Sequence, residues 1–159
     1  VIRQMWDAGV AHRDIKPANV MVRKNRIVLI DVAFGTVRPS PWRQAVDLAN
    51  MMVILALRTD PELVYERALL QFAPEDIAEA FAATRSVTLP SQSRSSLALQ
   101  KKETGVDLVE EFRRLAPATE PISIQRWSSR RIALTVAAVF LAMLGVSIVV
   151  SEITGGGLL

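Results

Sequence analysis

Four polar side chains near the start of the chain have the types and spacing of a site for magnesium and phosphate. Asp14, Lys16 and Asn19 lie close together in the sequence, and Asp31 follows them. Magnesium takes oxygen ligands and is usually held in proteins by one or two side chains together with phosphate oxygens. A lysine among such ligands adds positive charge beside a phosphate group. These residues therefore predict a site for Mg2+ and phosphate.

Two short apolar runs are expected to bring these side chains together. Residues 20–22 directly follow Asn19, residues 27–30 directly precede Asp31, and both runs are rich in aliphatic residues. Short β-branched runs bounded by polar residues are typical of strands. Two such strands would hold Asp14, Asn19 and Asp31 close to one another. The predicted chemistry depends on that geometry.

Residues 12–19, with the sequence HRDIKPAN, resemble the catalytic loop of the protein-kinase superfamily, in which His-Arg-Asp precedes a Lys and an Asn. The resemblance implies that Asp14 is catalytic and accepts or orients the proton of a substrate hydroxyl. It implies that Lys16 stabilises charge on the transferred group and that Asn19 and Asp31 bind Mg2+. Lys16, Asn19 and Asp31 would together bind ATP. The implied reaction is ATP-dependent phosphoryl transfer to a hydroxyl group.

The resemblance also implies a fold, the carboxy-terminal lobe of a kinase-like domain, which is mainly α with a small β element. The sequence departs from the family after Asp31, where Val-Ala-Phe-Gly replaces Phe-Gly and no Ala-Pro-Glu follows. Such a short segment is similar to the compact, atypical branch that includes small-molecule and lipopolysaccharide-core kinases. The Gly-rich loop, the strand Lys and its partner Glu do not occur in the chain. We therefore expect a fragment that is inactive alone, from a longer and active protein.

A second reading keeps the kinase-like fold without the activity. In it the protein is a membrane-anchored pseudokinase that acts as a nucleotide-sensing or protein-interaction module. The altered sequence after Asp31 and the short following segment favour this alternative. The presence of Asp14, Lys16, Asn19 and Asp31 favours the enzyme.

Two residues outside this set are expected to support the loop. Asp47 lies in a helix predicted from Trp42 to Leu57, and it resembles the kinase Asp that accepts hydrogen bonds from backbone amides of the catalytic loop. An ion pair with Arg43, one helical turn earlier, is the alternative. His12 is expected to pack and form a hydrogen bond, which is the usual role of a single His in such a loop.

Composition excludes several classes of site and partner. The chain has no Cys, so disulfides and thiolate metal sites are excluded. The net charge is only +3, with basic residues clustered around the loop and again before the last apolar block. Neither cluster is interleaved with aromatic residues, so we expect no nucleic-acid binding. The expected partners are ATP, a hydroxyl-bearing substrate, the lipid bilayer and, in the alternative reading, another protein.

Residues 132–150 form a run of 19 residues without a charge. A run of about 20 apolar residues can cross a bilayer as a helix, so a single transmembrane helix is predicted at 132–153. Arg126, Arg130 and Arg131 precede the run, with Trp127 beside them, which predicts a cell-membrane protein whose kinase-like part is cytoplasmic. The predicted kinase-like lobe covers 1–102. A juxtamembrane linker with a short amphipathic helix covers 103–131, and residues 154–159 are a tail.

Overall fold

The structure, a computed structural model, describes residues 1–84, 88–119 and 129–155, with side chains in the last range described at 134, 136–147 and 149–150. The chain divides into two compact units, Val1–Ile122 and Ser123–Leu159. The second unit contains helix α7 (Ser129–Gly155). Parts of the predicted linker and tail, and the flanking residues Arg126 and Trp127, lie outside the described residues.

The first unit is mainly helical with short strands. The helices of its described part are α1 (Ile2–Asp7), α2 (Pro41–Ala56), α3 (Pro61–Leu69), α4 (Pro74–Ala83), α5 (Ser91–Thr104) and α6 (Leu108–Leu115). The strands are β1 (Val10–Ala11), β2 (Val20–Arg23), β3 (Arg26–Leu29) and β4 (Thr36–Val37). Single 3-10 turns cover Pro17–Asn19 and Val32–Phe34. The predicted mainly α architecture with a small β element is confirmed for the described residues.

The strands form two antiparallel pairs that frame the predicted site. In the first pair, β2 lies against β3 with Val20 opposite Leu29, and its two-residue turn has positive φ at both Lys24 and Asn25. Positive φ at both positions is the requirement of the type I′ turn that suits a tight hairpin. In the second pair, β1 lies against β4 with Ala11 opposite Thr36. The two predicted strands are therefore present, and the second, predicted at 27–30, is displaced by one residue to Arg26–Leu29.

The core of the first unit surrounds α2. Apolar residues are distributed around most of this helix, and Leu48, Met52 and Val53 are all buried. A helix that is apolar on most sides must be covered on most sides, and α1, α3 and α4 all pack against it. The predicted buried helix from Trp42 to Leu57 is confirmed. This packing matters for the site because α2 also carries Asp47.

Helix α6 is the short amphipathic helix predicted within the juxtamembrane linker at 103–131, and its apolar face is buried. Leu108 and Phe112, one helical turn apart, are both buried, and the Phe112 ring stacks on Phe81 of α4 with 4.6 Å between ring centroids. Arg113 adds hydrogen bonds to the carbonyl oxygens of Phe81 (3.2 Å) and Thr84 (2.7 Å). The apolar face of α6 is therefore satisfied within the first unit, where it packs against α3 and α4.

Asp107 starts α6, and its replacement by Ala is expected to destabilise the fold. Its carboxylate accepts hydrogen bonds from the amides of Val109 (3.1 Å) and Glu110 (3.3 Å) and from Lys101 Nζ (2.8 Å). Loss of an N-cap of this kind costs about 1 kcal/mol. Urea unfolding at pH 7 measures this loss.

The Asp107→Asn variant is the matched control, because Asn also caps helices but carries no charge. The Lys101 ammonium lowers the pKa of Asp107 below its ordinary value. The folded state therefore holds this proton less tightly than the unfolded state. The charge-dependent stabilisation is complete above the unfolded pKa and is lost as pH falls through the folded pKa. Asp107→Asn should lack this pH dependence. Equal stability of wild type and Asp107→Ala at pH 7 would contradict the capping role.

The structure corrects the predicted membrane anchor. Within the part of the chain that the structure describes, no helix has the length and apolar character needed to cross a bilayer. The transmembrane helix predicted at 132–153 and the single-pass cell-membrane location predicted from it are therefore wrong.

Candidate functional site

The loop that carries the predicted catalytic residues is fixed at its start by α2. Asp47 is buried there and accepts hydrogen bonds from the backbone amides of His12 (2.5 Å, to Oδ2) and Arg13 (2.9 Å, to Oδ1). Arg13 has a φ of 69°, which lies in the left-handed region. A non-glycine residue in that conformation must be held by its surroundings. Asp47 supplies this restraint, and the predicted loop-supporting role is confirmed.

Burial and hydrogen bonding shift the pKa of Asp47 in opposite directions. Burial raises the pKa of its carboxyl above the ordinary value, whereas the amides of His12 and Arg13 favour the charged form and lower the pKa. The net direction is upward because the effect of burial is the larger. The two amides occupy both carboxylate oxygens. Asp47 therefore has a structural role, which is to hold the backbone at the start of the loop.

His12 connects the loop to the strand that ends beside Asp31. Its side chain is buried, with only 2% exposed, and Nε2 lies 3.0 Å from the carbonyl oxygen of Ile30. Ile30 directly precedes Asp31 in the chain. The expected packing and hydrogen-bonding role of His12 is confirmed, and the contact holds the backbone on which Asp31 sits.

Asp14, Lys16 and Asn19 are in direct contact. Asp14 Oδ2 accepts hydrogen bonds from Lys16 Nζ at 2.6 Å and from Asn19 Nδ2 at 3.1 Å. Asn19 Nδ2 also donates to the backbone oxygen of Asp14 at 2.9 Å. Because both of these bonds use the amide nitrogen, Asn19 Oδ1 is the end of the side chain that could bind a cation. Asn19 is itself buried, which fixes the direction of its amide.

Asp14 and Asp31 both raise the pKa of the Lys16 ammonium. The hydrogen bond to Asp14 raises the pKa of the Lys16 ammonium and is the largest effect; burial opposes it, and the charges of Asp14 and Asp31 add smaller increases. The Lys16 side chain is 29% exposed and that of Asp14 is 16% exposed. Both side chains are therefore partly exposed and accessible to a bound molecule.

The β2–β3 hairpin brings Asp31 to the same end of the site as Asn19. The Ile30 amide donates to the carbonyl oxygen of Asn19 at 3.0 Å, which extends the strand pairing by one step beyond Val20 and Leu29. Asp31 follows with φ 61° and ψ 64°, a left-handed conformation that Asp tolerates better than most residues. Its side chain makes no capping hydrogen bond to the 3-10 turn that it precedes. Asp31 is exposed and its carboxylate is not used for capping, and its charge acts on Lys16 of the loop.

The donor set fits magnesium. Asn19 offers an amide oxygen and Asp31 a carboxylate, both hard ligands of the kind that Mg2+ prefers. Among the described residues, no group of three or more His, Asp or Glu side chains is gathered as a metal site. A cation here would therefore depend on Asn19 and Asp31 together with oxygens from a bound phosphate, as is common for Mg2+ in nucleotide sites.

The segment after Asp31 is held against the loop. Arg13 Nη1 donates to Thr36 Oγ1 at 3.3 Å, and the Arg38 amide donates to the carbonyl oxygen of Gly9 at 2.8 Å. A side chain at Gly35 would place a Cβ 2.9 Å from the carbonyl oxygen of Val32, which is too close for any other residue without a shift. Gly35 thus allows the tight turn that follows Asp31.

One contact of the loop has no counterpart in the predicted site. The amide of Ala18 donates to Gln92 Oε1 at 3.2 Å. Gln92 lies in the first turn of α5, in a Ser-rich stretch that the sequence marks only as a further helix with a solvated face. No local pattern distinguishes it from other exposed polar residues. Only the tertiary fold identifies it as part of the loop's surroundings.

Comparison with family models, with curated proteins and with solved structures found no match for this chain. The resemblance of residues 12–31 to a kinase catalytic loop therefore rests on the residues and the geometry described above.

Proposed function

We propose that the full-length protein transfers the γ-phosphoryl group of ATP to a hydroxyl-bearing substrate, at a site built from Asp14, Lys16, Asn19 and Asp31. One observation carries this proposal. The Asp14 carboxylate lies in contact with Lys16 and Asn19, in a loop tied by the Asn19–Ile30 backbone bond to the residue before Asp31. An acid, a cation and two oxygen ligands thus occupy one end of a hairpin.

Asp14 is the proton acceptor in this proposal. The substrate hydroxyl oxygen bonds to the γ-phosphorus, the bond from that phosphorus to the β–γ bridging oxygen breaks, and ADP leaves. The hydroxyl proton passes to a carboxylate oxygen of Asp14. This role requires a carboxylate that is oriented but accessible, and the contacts to Lys16 and Asn19 together with 16% side-chain exposure meet both conditions.

Lys16 and the cation held by the two oxygen ligands would offset negative charge on the phosphate groups. The Lys16 ammonium, already held 2.6 Å from Asp14, is placed to offset negative charge on the transferred group. Asn19 Oδ1 and the Asp31 carboxylate would hold Mg2+. When bound, the ion neutralises charge on the β- and γ-phosphate oxygens.

A cation titration tests the proposed ligands. Mn2+ can replace Mg2+ and reports binding through water-proton relaxation. In the presence of ATP, Asn19→Ala and Asp31→Asn are each expected to weaken Mn2+ binding about tenfold or more, because even residues behind the ligands of a metal cost 10–100-fold when changed. Asp7→Asn is the matched control, since Asp7 is an exposed acid paired with Arg3. Unchanged Mn2+ affinity in both site variants would defeat the proposal.

A non-catalytic module is the second candidate, and a specific observation favours it. Several apolar side chains on and after the strands are strongly exposed: Val22 by 73%, Val32 by 69%, Phe34 by 59% and Val37 by 73%. Exposed apolar groups of this kind commonly mark interaction surfaces. A protein that binds ATP with Mn2+ at this site but never transfers phosphate to any hydroxyl acceptor would support this second reading.

A further inference from the structure

The first turn of α5 meets the catalytic loop through the Gln92 side chain. Gln92 Oε1 accepts a hydrogen bond from the amide of Ala18 at 3.2 Å. The next residue along the helix, Ser93, is fully buried, so this turn is anchored in the protein. Gln92 itself is exposed. An exposed side chain on an anchored turn therefore reaches back to the loop that carries Asn19.

The bond fills a specific need of the 3-10 turn Pro17–Asn19. The first amides of any helical turn have no partner within the turn and require one from outside. Pro17 has no N–H, and within the described chain Lys16, at the N-cap position, makes no side-chain capping bond. The Ala18 amide is therefore the donor that needs a partner. Gln92 provides it from a distant helix, in the way that a capping side chain usually provides it from within the same segment.

The turn that Gln92 caps also sets the position of Asn19. The Asn19 amide donates to the carbonyl oxygen of Lys16 at 2.9 Å, and the Val20 amide donates to that of Pro17. These two bonds close the turn immediately before β2. A change in the turn at Ala18 would shift the backbone of Asn19 relative to Asp14 and Asp31.

We infer that Gln92 is a positioning residue for the metal ligand Asn19, acting through the Ala18 amide and without touching the cation or the nucleotide. This inference rests on the proposed function, because it assigns Asn19 the role of ligand. The restraint on the loop does not itself depend on the proposed function. The acceptor on α5 restricts the conformations of residues 17–19, so that Asn19 Oδ1 is already oriented when the cation arrives.

Two substitutions separate the acceptor from the size of the side chain. Gln92→Met keeps the length but removes the oxygen, whereas Gln92→Glu keeps an oxygen in the same place. Ser95→Glu, one turn further along α5 and also exposed, controls for the added negative charge. Amide hydrogen exchange at Ala18, followed by NMR, reads the bond directly. Mn2+ affinity in the presence of ATP reads its consequence.

We expect Gln92→Met to accelerate exchange at Ala18 and to weaken Mn2+ binding about three- to tenfold, the range for loss of one hydrogen bond. Thermal unfolding should be nearly unchanged, because Gln92 is exposed. Gln92→Glu should retain slow exchange at Ala18, with Mn2+ affinity no weaker than that of Ser95→Glu.

The outcomes distinguish the two levels of the proposal. Wild-type Mn2+ affinity in Gln92→Met, together with weakened affinity in Asn19→Ala, would overturn the positioning role and leave the proposed function standing. Wild-type affinity in Asn19→Ala and Asp31→Asn would overturn the proposed function, and the positioning role with it. Equal weakening in Gln92→Met and Gln92→Glu would also overturn the role, since it would show that the acceptor oxygen is not what matters.

Discussion

Replacing Asp14 with Asn in the full-length protein is expected to slow phosphoryl transfer at least about 100-fold while ATP and Mg2+ binding remain nearly unchanged. The substitution removes the group proposed to accept the hydroxyl proton, and loss of such a group typically costs about 10²–10⁴ in rate. Binding should persist because Asn19 and Asp31 are intact. Asn19 also keeps its hydrogen bond to the backbone oxygen of residue 14, at 2.9 Å. Transfer of labelled phosphate to an acceptor, beside an ATP titration, measures both quantities.

The control for this experiment is Asp7→Asn, an identical chemical change at an exposed acid outside the site. It should leave transfer and binding at the wild-type level. Turnover by Asp14→Asn that equals the wild-type turnover would refute the catalytic assignment. Loss of binding in parallel with turnover would show that Asp14 acts in holding the nucleotide instead.

Replacing Asp47 with Ala is expected to have the largest effect on stability among the residues around the site. It leaves the amides of His12 and Arg13 without acceptors in a buried region. Hydrogen bonds to a charged group contribute about 1.5–3 kcal/mol each. Release of the carboxylate from burial offsets part of this, since burial is the main influence on its pKa. We expect a net loss of about 3 kcal/mol in urea unfolding, with the loop geometry lost as well.

Two further variants serve as comparisons for Asp47→Ala. Asp47→Asn retains one acceptor oxygen and should lose about half as much stability. Arg43→Ala tests the alternative in which Asp47 mainly forms an ion pair one turn away. It should change unfolding by less than about 0.5 kcal/mol, the value usual for surface substitutions. A larger loss in Arg43→Ala than in Asp47→Ala would contradict the loop-supporting role.

The part of the site that the sequence could predict is the part encoded locally. The spacing of Asp14, Lys16 and Asn19 fixes them within one loop, and the aliphatic runs at 20–22 and 27–30 form the strands that bring Asp31 beside it. The helix from Trp42 to Leu57 was predictable because its apolar residues lie almost all round it. The role of Asp47 required the family resemblance, since spacing alone also allowed a pair with Arg43.

The features that the sequence did not predict depend on tertiary packing. The short helix α6 has an apolar face, but only the fold shows that this face stacks on Phe81 and is not solvated. The prediction at 132–150 relied on composition alone, and an uncharged run does not by itself establish a membrane-spanning helix. Gln92 reaches Ala18 across 74 positions of sequence. No local propensity encodes a contact of that kind.

The most direct test of the site is the position of the cation itself. Crystals of the protein grown with Mn2+ and a non-hydrolysable ATP analogue would locate the ion by its anomalous scattering. We expect one Mn2+ peak within about 2.5 Å of Asn19 Oδ1 and of an Asp31 carboxylate oxygen, with Asp14 beside the γ-phosphate. An ordered nucleotide whose Mn2+ contacts neither Asn19 nor Asp31 would contradict the account.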